Sequence, residues 1–177
     1  MCSIETTPVV RTERLHLRRL RKTDAKRLAA LANDQAVLRM TSRMPNPYGI
    51  GEAEAFLDHV ETQDPQSDRT FAIDHQDEGL IGVLGFSPGH PGGSEIGYWI
   101  GRDYWGRGYA TEAAAGALDW ARTGWRRRLV TAAHFADNPA SGEVLCKVGF
   151  LYTGEVKQIY SRARGEDATA RGMVWLA

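Results

Sequence analysis

The sequence predicts an α+β domain on a mixed, mostly antiparallel sheet, and three observations carry that prediction. Short alternating or apolar runs recur as strand candidates, among them Leu15–Leu20, Thr70–Ile73, Leu80–Phe86 and Glu95–Ile100. Asp77-Glu78-Gly79 joins two of these as a hairpin, which makes that pair antiparallel. Glu95–Ile100 is then followed by an Ala-rich helix over Tyr109–Thr123 and a strand over Leu129–Phe135. Strand–helix–strand connections are right-handed crossovers, so these two strands run parallel.

The elements follow in order. Leu15-His16-Leu17-Arg18 opens an alternation suited to a first strand. Thr23 is placed to cap the next helix, with Asp24 in its first turn and Ala25, Leu28, Ala29 and Ala32 as its apolar stripe. Asn33-Asp34 interrupts it, and Gln35–Met40 forms a second short helix. Pro45, Pro47 and Gly49 exclude regular structure from Thr41–Ile50. Helical periodicity resumes over Glu52–Val60, with Ala53, Phe56, Leu57 and Val60 on one side. Ser87–Gly93 is a loop. In the Ala-rich helix, Ala113, Ala114, Gly116 and Ala117 permit close packing, while Leu118 and Trp120 supply bulk. Asn138-Pro139 pairs a capping side chain with proline at the first helical position, and Gly149 ends that helix. Phe150–Ile159 and Ala168–Leu176 are closing strands around Arg164-Gly165-Glu166-Asp167. No repeat or linker divides the chain, so one domain is expected over 1–177 with an ordered core over about 9–176.

Composition narrows the function classes. Lys+Arg and Asp+Glu number 22 each and cancel, so no global field draws the chain to nucleic acid or membrane. No run reaches membrane-spanning length, and Met1–Val10 lacks the apolar core of a signal peptide. Cys2 and Cys146 form no disulfide framework, which suits a reducing cytoplasm. His16, His59, His75, His90 and His134 show no metal-ligand spacing, so no metal site is expected, and His134 within a strand reads as structural. Arg126-Arg127-Arg128 and the cluster Arg18-Arg19-Leu20-Arg21-Lys22 read as surface charge. Cys146 reads as a small core residue rather than a nucleophile. The oligomeric state, monomer or homodimer, stays open.

The stretch Tyr98–Ala113 carries the chemistry. An apolar strand ends at Ile100, and a turn punctuated by Gly106 and Gly108 enters the Ala-rich helix. The first amides of a helix lack intrahelical partners and sit at the positive end of its dipole, a cradle for phosphate or pyrophosphate. Two other phosphate cradles fit poorly. A P-loop needs Lys-Ser/Thr after its last glycine, whereas Tyr109-Ala110 follows Gly108. The dinucleotide fingerprint needs a third small residue where Thr111 stands, and a βαβ unit opening the domain.

Glu95-Ile96-Gly97-Tyr98-Trp99-Ile100 and Tyr104-Trp105-Gly106-Arg107-Gly108-Tyr109-Ala110-Thr111-Glu112-Ala113 resemble the GNAT superfamily of N-acetyltransferases. The nearest branch includes the ribosomal-protein N-terminal acetyltransferases. Thr12–Arg18, Leu80–Phe86, Asp137–Ser141 and Lys147–Phe150 agree in order and spacing, so the resemblance spans nearly the whole chain. Trp105 departs from the superfamily pattern, which has Gln or Arg there. The resemblance implies that the two parallel strands splay apart, leaving a slot where the pantetheine arm of acetyl-CoA pairs like an extra strand. It implies that Trp105, Gly106, Arg107, Gly108, Tyr109, Ala110 and Thr111 hold the pyrophosphate. Asn138 is implied to hydrogen-bond the pantetheine. Ile100, through backbone groups and with Trp99 beside it, is implied to position the acetyl carbonyl.

Acetyl transfer to an amine needs a neutral amine, a polarised thioester and a proton for the leaving thiolate. Glu95 is the candidate base; it reads either as that or as a solvated strand-edge carboxylate. The resemblance implies that Ser141 touches the sulfur or donates its proton to it, and Asn138 reads as N-cap and cofactor contact together. Trp99, Tyr104 and Trp105 read as a platform at the slot or as core. The acceptor is expected between the Thr41–Ile50 loop, the Glu52–Val60 helix and the Gln158–Asp167 segment, with Glu52, Glu54 or Asp58 either meeting a cationic amine or simply solvated. The expected function is an acetyl-CoA-dependent N-acetyltransferase acting on a protein or peptide α-amine. The alternatives are a small amine (polyamine, amino acid or antibiotic) as acceptor, a non-catalytic acyl-CoA-binding module and, third, a dinucleotide-dependent oxidoreductase.

Overall fold

The computed structural model describes residues 7–89 and 93–177; Cys2, His90 and part of the Ser87–Gly93 loop lie outside the described residues. Strands β1 (Val10–Arg11), β2 (Leu15–Arg18), β3 (Arg69–His75), β4 (Gly79–Pro88), β5 (Ser94–Ile100), β6 (Leu129–Phe135), β7 (Leu151–Ser161) and β8 (Glu166–Leu176) form one sheet. Their spatial order is β1-β2-β3-β4-β5-β6-β8-β7. β5 and β6 pair in parallel, and the other pairs are antiparallel. The mixed, mostly antiparallel sheet is therefore as predicted, and its helices cover both faces.

The two faces are packed by different helices. Against one lies α4 (Tyr109–Thr123), whose Ala113, Ala114, Ala117 and Ala121 are buried with Ile96 and Ile100 of β5. Small side chains there let the helix axis approach the sheet, and Trp120 fills the remaining space edge-on to Phe71 at 5.3 Å. α5 (Pro139–Lys147) joins the same layer through Leu145. The opposite face is covered by α1 (Ala25–Ala32) and α3 (Ile50–Glu61), with Leu28, Ala32, Ala53 and Leu57 packed over Ala72 and Val83. The predicted stripe of α1 is the one buried, as its 3.6-residue period requires.

The entry to α1 differs from expectation. Thr23 does not cap it; Lys22–Asp24 make a 3-10 turn, and the buried Asp24 carboxylate accepts from the Arg21 amide at 2.8 Å. Arg18 donates to both oxygens of Asp24, at 2.9 and 3.0 Å, a charged pairing that a threonine hydroxyl cannot match. α2 (Gln35–Leu38) is capped by Asp34, which accepts from Ala36 and Val37. Asn138 caps α5 with Pro139 behind it, and Gly149 ends the segment at φ +98°. β1, too short for a periodic signal, was not anticipated.

β4 and β5 approach so closely at Gly82 that an added Cβ would stand 2.3 Å from the Trp99 carbonyl oxygen and 3.0 Å from Ile100 Cα. Backbone atoms cannot swing aside as a side-chain tip can. Gly82→Ala is expected to lower unfolding free energy by about 1–3 kcal/mol in denaturant titration; unchanged or increased stability would show that the sheet gives freely at this point.

Candidate active site

The site begins with a gap in the sheet. β5 and β6 are seven residues long, yet they pair only at Ser94↔Val130 and Glu95↔Thr131. Beyond that point the strands diverge and leave backbone edges unpaired. The register says which groups face the gap. The Gly101 amide donates to Ile81 of the β4 side at 2.9 Å, so Ile100, one residue earlier, turns its own amide and carbonyl away from β4. Tyr98 shares that phase. The Ile100 carbonyl accepts from the Trp105 indole at 2.7 Å, which leaves the Ile100 amide as the free group of that residue at the slot. A cavity of about 1020 Å³ opens along this edge.

At one end of the cavity stands the α4 terminus. Gly106 and Gly108 have φ of +74° and +79°, a left-handed backbone for which glycine carries no Cβ penalty. The first intrahelical bond runs from the Glu112 amide to the Gly108 carbonyl at 3.0 Å. The amides of Tyr109, Ala110 and Thr111 precede it and have no helical carbonyl to meet. The turn is fastened from outside. Glu112 accepts from the Thr12 hydroxyl, the Arg14 amide and Arg14 Nε, each at 2.7 Å, and Arg14 Nη1 donates to the Arg107 carbonyl at 3.1 Å. Burial alone would raise the Glu112 pKa, but these hydrogen bonds outweigh it and hold the carboxyl below its ordinary value.

The start of α5 faces the cradle across the slot. Asn138 Oδ1 accepts the Ser141 amide at 3.3 Å, and Asn138 lines the cavity. The Tyr98 phenol lies 3.0 Å from Ser141 Oγ and 3.1 Å from the Ser141 carbonyl. Burial pushes this phenol up to about 12, with the Ser141 hydrogen bond pulling partly back. At neutral pH it stays protonated.

Side chains alternate along β5, and the alternation separates two groups. Ile96, Tyr98 and Ile100 belong to the α4 and α5 face, whereas Trp99 packs with α1 and α3. Glu95 shares the phase of Trp99, lines the cavity and, among the described residues, makes no hydrogen bond or ion pair. The cavity continues on that side past Met44, Tyr48, Glu52, Phe56 and His59 to Ile159 and Arg162, so all three segments expected around the acceptor contribute to its wall. Its roof is tied down. Arg162 donates from its amide to Ser42, and the buried Ser161 hydroxyl donates to Thr41. Arg164 holds Asp137 by two bonds of 2.9 Å and the Arg39 carbonyl by two more, and its hydrogen bonds keep the Asp137 pKa below the usual value.

The predicted residues thus fall into three places. Trp105, Gly106, Gly108, Tyr109, Ala110, Thr111, Asn138 and Ser141 line the cavity on the cradle side. Glu95 and Trp99 line it from the opposite face, and Ile100 lies at the junction. Arg107 does not line it; its carbonyl is bound by Arg14 and its guanidinium lies 5.9 Å from the Tyr104 ring. Tyr104 lines the cavity and also packs against the core, with its hydroxyl accepting from Arg27. His134 is structural as expected: Nδ1 donates to Phe135 at 2.8 Å and Nε2 accepts from Tyr152 at 3.0 Å. Cys146 is exposed rather than core. Sequence reasoning missed the Glu112–Arg14–Thr12 fastening and the Tyr98–Ser141 pair. Each joins residues far apart in the chain, and no local pattern marks them.

A cradle of helix-start amides beside an open strand edge is suited to an anion joined to an extended, amide-bearing arm. The family model of the acetyltransferase (GNAT) domain matches residues 14–151, and the chain belongs to that family. It is 36% identical over 93 residues to the ribosomal-protein-serine acetyltransferase of Escherichia coli K12, about half of each chain (51% and 51%). Among solved structures, Mycobacterium smegmatis RimJ in complex with CoA-disulfide aligns with a TM-score of 0.84 at 21% identity, covering 97% of this chain and 88% of that one. Spermidine N-acetyltransferase from Vibrio cholerae, in complex with CoA and spermine, gives 0.76 at 20% identity over 92% and 95%.

The fastening of the cradle has a pH signature. A carboxyl whose folded-state pKa is depressed stabilises the fold above its unfolded value, and that contribution is lost as pH falls through the folded value. Glu112→Gln is expected to cost about 1–2 kcal/mol at neutral pH. The gap from wild type should close only on acidification below the ordinary glutamate range near about 4.3. Denaturant titrations at several pH values would test this; a gap independent of pH would contradict it.

Proposed function

We propose that the protein transfers the acetyl group of acetyl-CoA directly to the α-amine of a protein or peptide N-terminus. The observation that carries the acceptor is the mixed character of the cavity wall beyond Glu95. Apolar Met44, Phe56 and Ile159 stand there beside Glu52 and the guanidinium-bearing Arg43 and Arg162. A polyamine calls for a run of carboxylates, and two arginines oppose it by like-charge repulsion. A peptide end offers one amine followed by carbonyl groups and side chains, which suits apolar walls with charges of both signs. The ribosomal-protein-serine acetyltransferase among the similar proteins supports this choice.

Acetyl-CoA supplies an activated thioester. The amides of Tyr109, Ala110 and Thr111 hold its pyrophosphate at the positive end of the α4 dipole. The open β5 edge at Tyr98 and the Asn138 side chain hold the amide-bearing arm, and the Ile100 amide orients the acetyl carbonyl. Glu95 receives the proton of the attacking amine, directly or through one water, and Ser141 Oγ donates toward the sulfur. Glu95 and Ser141 stand on opposite sides of β5, so the amine adds to the thioester carbonyl from the Glu95 side and the C–S bond breaks with the departing sulfur toward Ser141. An α-amine with a pKa near 8 is neutral in roughly a tenth of molecules at pH 7, against about one lysine in a few thousand. A carboxylate of ordinary basicity therefore suffices. The reducing cytoplasm agrees with a chain whose Cys146 is free.

Mass gain dependent on acetyl-CoA, measured on peptides with free or blocked N-termini, polyamines, amino acids and aminoglycosides, tests the proposal. Modification confined to free α-amines is expected, with Glu95→Gln lowering kcat about 100-fold. Acetylation of polyamines alone would overturn the acceptor, and coenzyme A binding without any product would indicate a non-catalytic acyl-CoA-binding protein.

A further inference from the structure

We propose that Tyr98 is a positioning residue for the leaving group: its phenol fixes the Ser141 hydroxyl so that the Ser141 proton points into the slot. The proposal rests on the slot receiving the thioester of acetyl-CoA, as proposed above.

The distances let the phenol donate to either atom, and the partners of those two atoms choose between them. Tyr98 Oη reaches two atoms of the same residue, Ser141 Oγ at 3.0 Å and the Ser141 carbonyl at 3.1 Å. The carbonyl lies within α5, where the amide four residues on, that of Leu145, is its helical donor. Ser141 Oγ has no other protein partner among the described residues, so it is the atom that needs the phenol's proton. With Tyr98 donating to Oγ, the Ser141 hydroxyl proton is left for the cavity that both residues line. The reverse arrangement would spend that proton on the phenol and present only lone pairs to a departing thiolate.

A hydroxyl on an exposed helix terminus samples several rotamers. Here the rotor is held by a rigid ring anchored in the central strand, so the donor is in place before charge develops on sulfur. Tyr98 need not lose its proton. A phenol pushed up by burial remains a donor throughout the neutral range, and Ser141 supplies the hydrogen bond at the sulfur. This division of labour explains why a serine, a weak acid by itself, can stand at the position.

The test reads the thiol of bound coenzyme A rather than turnover. Ultraviolet absorbance of the thiolate gives its apparent pKa on wild type, Tyr98→Phe, Ser141→Ala and the double variant, with calorimetry showing that each still binds coenzyme A. Phenylalanine keeps the ring and removes only the hydroxyl. Both single variants are expected to raise the thiol pKa by roughly one unit, the worth of one hydrogen bond to a charged acceptor. The double variant should match Ser141→Ala, because Tyr98 acts through Ser141. A shift in Ser141→Ala with none in Tyr98→Phe would overturn the proposal, as would shifts that add in the double variant. No shift in either would remove both residues from leaving-group chemistry while leaving coenzyme A binding intact. Absence of coenzyme A binding by wild type would instead defeat the slot assignment itself.

Discussion

The parallel pairing of β5 and β6 stops after two residues, and the rest of the site depends on that stop. A sheet normally consumes its backbone donors and acceptors in neighbouring strands, and unpaired buried edges are costly. Here an edge is left open in the middle of an eight-stranded sheet. A ligand arm carrying its own amides can complete the ladder from within. The fold tolerates the opening because both strands are secured on their outer sides, β5 along β4 at seven positions and β6 along β8 at seven.

The same opening separates the two halves of the chemistry. One face of β5 carries Tyr98 toward α5, and the other carries Glu95 and Trp99 toward α1 and α3. A seven-residue strand thus directs Tyr98 and Glu95, by the alternation of its side chains, to opposite sides of the slot. Remote contacts keep the parts aligned. Glu112 ties the α4 terminus to the turn before β2, and Arg164 ties the β7–β8 turn to Asp137, next to the α5 cap.

Much of this was legible in the sequence because it is local. The Tyr109–Thr123 helix, the Leu129–Phe135 strand and the Asn138-Pro139 cap stand where periodicity and capping chemistry placed them. Gly106 and Gly108 were picked out for backbone freedom, and both adopt positive φ. What local pattern does not encode was missed. Thr23 has the chemistry of a cap, but Asp24 wins the turn because Arg18, six residues earlier, reaches its carboxylate. Tyr104 could be read as platform or as core, and it both lines the cavity and packs against the core. Tyr98 opens the stretch that carries the chemistry but was given no role of its own, since a tyrosine in a strand is ordinary and its partner lies 43 residues on. The similarity of neighbouring motifs supplied the slot, which no periodicity reveals.

The proposed reaction stands or falls with acetyl-CoA in the gap between β5 and β6 and its pyrophosphate on the α4 terminus. Amide hydrogen exchange resolved by residue, with and without acetyl-CoA, addresses it most directly, because the groups at issue are backbone amides. Slowed exchange is expected at Tyr98, Ile100 and Tyr109 through Thr111, with α1 unaffected. Binding that leaves those amides exchanging as before, or protects a different surface, would contradict it.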